Sequence, residues 1–254
     1  MKHKVSEVPS FEEYFGLDVN FIEDEEFDPD NDDEDIKKLL ALVLSLLQEF
    51  YIEYMYASEQ VIASEEFKMA VDKFNEELKD SLIYLFLDYI EKVNNELAFA
   101  YDIPVEVLEN QIIALKTDID NSVVKSVDAV TNTLYYDLLD KASFYTDMAL
   151  TTGTFAVHGN FRRALRKLTN AVDYKAQYAK SRAERIYLEF VYGQEALFQW
   201  NVTGVNTCAW CYEMEAMGAM PLSWFPADHP NGRCWLTPVN PKEYSDEYNN
   251  LKGW

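Results

Sequence analysis

From Ile36 onward apolar side chains recur at intervals of three and four, at Leu39, Leu40, Val43, Leu47, Phe50, Tyr51 and Tyr54. That spacing lines one face of a helix and predicts an amphipathic element running to about Ala63. Ser64-Glu65-Glu66-Phe67 has the form of an N-cap followed by acids in the first turn. A second helix is expected behind it, through Phe74, Leu78, Leu82, Leu85, Tyr89 and Val93 to about Tyr101. Pro104 suits the first turn of a third helix, ending near Thr117. After Asp120 a fourth carries Val123, Val127, Val130, Leu134, Leu138 and Tyr145 to Leu150, and Thr151-Thr152-Gly153 is expected to stop it. A fifth is predicted from Phe161 to about Trp200, with Gly193 as its weak point. Beyond Trp200 the periodicity is lost. Gly204, Gly218, Pro221, Pro226, Pro230, Gly232, Pro238 and Pro241 crowd a stretch too short and irregular to bury a core of its own.

Before Ile36 no such pattern exists. Residues 1–35 hold 14 acidic side chains against Lys2 and Lys4, and Glu23 to Asp35 is almost continuous acid. Such a run repels itself and lacks apolar area to bury, so an extended arm is expected. Asp28, Asp30 and Asp32 resemble the opening of a calcium loop. Asp33 and Leu39, where that loop requires glycine and glutamate, exclude it. The predicted organisation is therefore an acidic arm over 1–35, a helical domain over 36–199 and a Cys/His module over 200–254. In fold class the chain is mainly α: a long-helix bundle with a small irregular α+β module, stapled by zinc, at its C-terminal end.

Composition agrees with long helices, since 8 Gly and 8 Pro in 254 residues are too few for the turns of a β-sandwich or barrel. A formal net charge of −23 repels nucleic acid and anionic membranes, so any contact with DNA has to be local. The longest apolar run, Leu39 to Leu47, is about half the roughly 20 residues a bilayer requires. No membrane association is expected. Glu7, Pro9 and Glu12 stand where a signal peptide needs apolar residues, so no export signal is expected either.

The chemistry is concentrated in the last quarter. All three cysteines, Cys208, Cys211 and Cys234, fall in one window, with His229 between the second and third. Thiolates at i and i+3 reach one ion from a single helical turn, and a later His and Cys complete a tetrahedron. Zinc is the metal this predicts. Four protein ligands leave no open position for water, so the ion would be structural and would stabilise a module that lacks a core. A disulfide between two of the cysteines, or three ordinary small core residues, are the competing readings. Zinc nucleobase deaminases also use His and Cys-x-x-Cys, but with the His-x-Glu first. Here the cysteine pair precedes His229, and Asn231 occupies the place of the glutamate, which excludes that chemistry.

Taken together, Trp200, Cys208, Cys211, Gly218 and the run His229, Pro230, Asn231, Arg233, Cys234 resemble the C-terminal module of the phage minor head proteins, the Mu F-like head morphogenesis family. The preceding Arg182-Ala183-Glu184-Arg185 is similar to that family as well, and the likeness spans roughly residues 180–240. Gly232 departs from it, standing where the family usually has a cysteine. The resemblance implies a low-copy virion component made in the host cytoplasm, associated with the portal or other capsid proteins and needed for head assembly or DNA delivery. Some relatives carry a toxin domain after this module; none is expected in the few residues after Pro238.

No phosphate loop, nucleophile with its base, or open metal site is visible, so neither catalysis nor a small-molecule substrate is expected. An unrecognised hydrolase is the lesser alternative. The other binding feature is a basic stripe: Arg162 with Arg166, and Arg163 with Lys167, stand one helical turn apart. Its candidate partners are the acidic arm, an acidic capsid protein such as the portal, or DNA through local contact with the basic helix 162–185. Tyr51, Tyr54, Tyr84, Tyr89, Tyr135 and Tyr136 are expected to serve as packing on helix faces.

Overall fold

The computed structural model of the chain describes residues 34–54, 57, 59–145, 151–202, 209–225, 234–239 and 244–253. The first element among the described residues, α1, is Glu34–Tyr54, and it opens on Glu34 and Asp35, where acids favour the helix dipole and Asp35 accepts from Lys38 Nζ at 2.7 Å. These two residues, assigned above to the arm, are helical; the rest of the predicted arm lies outside the described residues. The helix also ends earlier than its periodicity predicts. Ala57 N donates to Tyr54 O in a turn, and a separate short helix, α2, covers Glu59–Ile62. Next, α3 spans Glu65–Tyr101, and Ser64 caps it as expected, its Oγ accepting from Phe67 N at 3.1 Å.

The expected break near Thr117 to Asp120 does not occur. After a 3-10 turn at Val105–Leu108, preceded by Pro104, one helix α4 runs from Glu109 to Tyr145. The segment Thr117 to Asn121 contains no Gly or Pro, and its polar side chains bond along the helix: Thr117 Oγ1 donates to Ile113 O at 3.0 Å, and Asn121 Nδ2 to Thr117 O at 2.9 Å. Ile119, fully buried, continues the apolar stripe from Ile112 and Leu115 to Val123. The last long helix, α5, is Thr151–Tyr192, ten residues earlier at its start and eight shorter at its end than predicted. Thr151-Thr152-Gly153 therefore starts a helix instead of stopping one. Gly193, at φ +82°, is the actual terminus, because the left-handed conformation that ends the helix costs glycine little.

Two compact units divide these elements, and α3, α4 and α5 each contribute one part to each. The first comprises the chain to Leu82 with Val124–Val172. Its core is aromatic around Phe50, which stacks on Phe74 at 4.8 Å and meets Phe161 at 5.9 Å, with Phe67 and Tyr54 alongside. Buried Val43, Leu47, Leu78, Leu134, Leu165 and Leu168 extend it. Asn75 Nδ2 and Lys79 Nζ both bind Asp128, holding α3 to α4 and keeping that carboxyl below its usual range.

The second unit comprises Ile83–Val123 with Asp173–Trp254. Buried Tyr187 donates to Asn94 Oδ1 at 2.8 Å, pairing two polar groups that would otherwise lie unsatisfied between α5 and α3. After Gly193 the chain turns into β1, Leu197–Asn201, followed by α6, Ala209–Ala216; β2, Met220–Pro221; a 3-10 turn, Leu222–Trp224; and β3, Trp235–Pro238. The strands form an antiparallel sheet in the order β2-β1-β3, with Phe198 opposite Met220 and Trp200 opposite Leu236. A short helix α7, Asp246–Lys252, closes the chain, its cap Ser245 donating to Phe190 O of α5. The architecture is mainly α with a small sheet. Among the described residues no helix is long and apolar enough to cross a membrane.

Candidate functional site

The centre of the C-terminal module is a cluster in which Phe198 and Trp200 of β1, Cys211 and Met214 of α6, Leu222 and Phe225 pack against Leu188 of α5. Alternation along β1 sends Phe198 and Trp200 inward, while Leu197, Gln199 and Asn201 face outward, as the pleat requires. Trp200 stacks on Phe225 with centroids 5.6 Å apart and meets Trp210 edge-on at 5.7 Å. Helix α6 is tied to β1 by polar contacts. Gln199 Nε2 donates to Glu215 O at 3.0 Å, and Val202 N to Glu215 Oε1 at 3.2 Å.

This packing brings together two of the four predicted metal ligands. Cys211 is 2% exposed in the cluster, and Cys234, immediately before β3, packs against the same cluster half-buried. The rest of α6, β2 and the 3-10 turn separate them in the chain, and no disulfide joins them. Cys208, which falls one residue before α6 in the sequence, and His229 lie outside the described residues. Among the described residues no three Cys, His, Asp or Glu side chains gather where one ion could sit.

One of the contacts between the module and α5 is made by a residue whose role sequence spacing did not reveal. Arg185 of α5 donates from one guanidinium nitrogen to Phe225 O at 2.6 Å and from another to Leu222 O at 2.9 Å, while its Nε binds Glu189 Oε1 at 3.0 Å. The bound carbonyls flank the 3-10 turn that carries Leu222 into the core. Arg185 was counted with the basic helix, yet it is a half-buried clamp. Beside it, burial raises the carboxyl of Glu184, with Lys180 drawing it partly back.

The basic stripe lies elsewhere on α5, in the first unit. Arg162, Arg163, Arg166 and Lys167 are all exposed, alternating in pairs with buried Phe161, Ala164, Leu165 and Leu168. Only Arg163 has a counter-ion among the described residues: its guanidinium meets Asp137 Oδ2 at 3.1 Å. Further along, Lys175 lies over the Tyr174 and Tyr178 rings. Of the six tyrosines expected to pack, Tyr51 and Tyr89 are buried, Tyr54 and Tyr135 partly so, while Tyr84 and Tyr136 are 72% and 65% exposed.

Two open grooves occur in the second unit. One of about 480 Å³ between Leu108, Ile186 and Phe190 is edged by Glu189, Asp246 and Glu247; the other, about 550 Å³, runs past Phe99, Ile103 and Leu251. Neither presents a histidine, cysteine or nucleophile with its base. No protein-family model, curated protein or solved structure matches the chain.

Proposed function

We propose that the chain is a phage minor head protein of the Mu F-like head morphogenesis type, a non-enzymatic virion component that joins the portal or inner head during assembly in the host cytoplasm. One observation carries the reading: Cys211 and Cys234, distant in sequence and both part of the motif, pack against one core cluster. In this reading Cys208, Cys211, His229 and Cys234 hold a structural zinc that binds the loops around β3 to α6. The ion neutralises the thiolates and contributes folding free energy that the small core does not supply.

Elemental analysis of protein purified without chelator tests the metal, with about one zinc per chain expected. Less than about a tenth of an equivalent, with all three thiols reactive in the native protein, rejects it. Mass spectrometry of purified heads tests the assembly role. Parental incorporation of a Cys208→Ser chain that has lost its metal would separate the two.

The exposed cations of α5 favour a second reading, local contact with DNA, because Arg162, Arg166 and Lys167 have no ion-pair partner among the described residues. Retention on duplex DNA that weakens steeply as salt rises, and that is lost in an Arg162→Glu, Arg166→Glu variant, is its measurement. Salt-independent retention excludes it.

A further inference from the structure

The open groove of about 480 Å³ in the second unit is apolar at its floor and anionic at its rim. Leu108, Ile186 and Phe190 form the floor, Glu189, Asp246 and Glu247 stand around it, and among the described residues that line it none is cationic. Glu189 is held by Arg185, whereas Asp246 and Glu247 are exposed and have no ion-pair partner among the described residues. An occupant that satisfies both parts has to bring positive charge on long aliphatic stems. The chain itself carries such a surface. Arg162, Arg163, Arg166 and Lys167 are exposed on α5, and among the described residues only Arg163 meets a carboxylate. We propose that the groove of one copy receives this stripe from a second copy, so that the chain associates with itself head to tail.

A purely apolar anchor would leave Asp246 and Glu247 without counter-charge, and a small inorganic cation would leave the floor uncovered. The stripe answers both, its methylene stems lying on Leu108, Ile186 and Phe190 while its heads reach the rim. It also has something to gain: like charges one turn apart, Arg162 with Arg166 and Arg163 with Lys167, destabilise a helix unless carboxylates are brought to them. Stripe and groove occupy different turns of α5, and turns of one helix do not fold back on one another, so the contact joins separate copies. Because the two surfaces differ, each added copy leaves one groove and one stripe free until a ring closes. Four side chains on one groove make a contact of the small class, below about 1,200 Å², that associates weakly and requires concentrated protein. The net charge of −23 opposes any approach of two copies, but that repulsion acts at long range and is suppressed first at about 0.1 M salt, where the screening length is about 10 Å. The docking does not rest on the minor head reading, and neither a phage component nor DNA enters its test.

Sedimentation of the full-length protein at about 0.1 M ionic strength is expected to show a mass that climbs beyond one chain as protein concentration rises, and that returns to one chain in about 1 M salt, where the screening length falls to about 3 Å. A mass of one chain at every concentration, or an oligomer indifferent to salt, overturns the proposal. Two variants separate the surfaces. Asp246→Asn with Glu247→Gln leaves the stripe intact, and Arg162→Glu with Arg166→Glu leaves the groove intact. Each alone is expected to associate several-fold more weakly than the parent. Their mixture, with each variant keeping the circular dichroism of the parent, is expected to form a complex of one chain of each that grows no further. Association at parental strength by either variant alone overturns the proposal, and so does a mixture of the two folded variants that remains monomeric.

Discussion

Glu184 and Arg185 are neighbours on α5 with opposite electrostatic circumstances. Arg185 exchanges much of its water for two carbonyls and a carboxylate that hold it in a fixed geometry, so its charge is compensated where it lies. Glu184 is pushed up first by burial, and Lys180 offsets that only in part. A carboxyl with a folded-state value above its unfolded one favours the fold when protonated. Its contribution is fully present below the unfolded value and is lost as pH rises through the raised one. Glu184→Gln keeps the shape without the charge. It is therefore expected to be more stable than the parent at about pH 7 and indistinguishable from it below about pH 4, where both side chains are neutral. Denaturant unfolding at the two pH values reads this directly; an equal difference at both would mean that the charge is not the cause.

Helix boundaries depended on local chemistry wherever that chemistry was unambiguous. Ser64 predicted and supplied a cap, while Thr117 to Asn121 carried polar residues that favour caps and breaks but lay on a continuous buried stripe. Burial of Leu115 and Ile119 on that stripe outweighed the weak preference of Thr, Asp and Asn for leaving the helix. Gly193 decided the end of α5 more firmly than apolar periodicity did. Nothing lies within 4 Å of the place a Cβ would occupy there, so Gly193→Ala tests conformation without a clash. The expected cost is about 1–2 kcal/mol, from forcing alanine into the left-handed region. A thermal melt showing no loss would mean that the turn into β1 relaxes freely.

Taken as a whole, the molecule combines a net charge of −23 with a basic stripe at Arg162, Arg163, Arg166 and Lys167 of α5. That imbalance matters little for the fold, because exposed pairs such as Arg163 with Asp137 contribute little to stability. The C-terminal module depends on a few long-range contacts. Arg185, the Trp200–Phe225 stack and, in the proposed reading, zinc hold segments that have little secondary structure of their own. Metal removal is accordingly expected to loosen the module and spare the long helices. Chelation should red-shift tryptophan emission while far-ultraviolet dichroism stays near its starting value; loss of both together would mean that the metal supports the entire chain.

Periodicity alone determined that the chain is mainly helical, which faces of its helices are buried and that an irregular module follows them, because apolar spacing is a local property that burial then enforces. The cap at Ser64 and the clustering of cysteines were legible for the same reason, each being written in consecutive or nearby residues. The joined helix α4, the early start of α5 and the strand at Trp200 were not, since there a weak local preference met packing from residues far along the chain. Arg185 could not be distinguished from its basic neighbours by spacing, because its partners are main-chain carbonyls dozens of residues away. Bringing Cys211 and Cys234 against one core was likewise a matter of folding: strand pairing placed β3 beside β1, and α6 packed behind it.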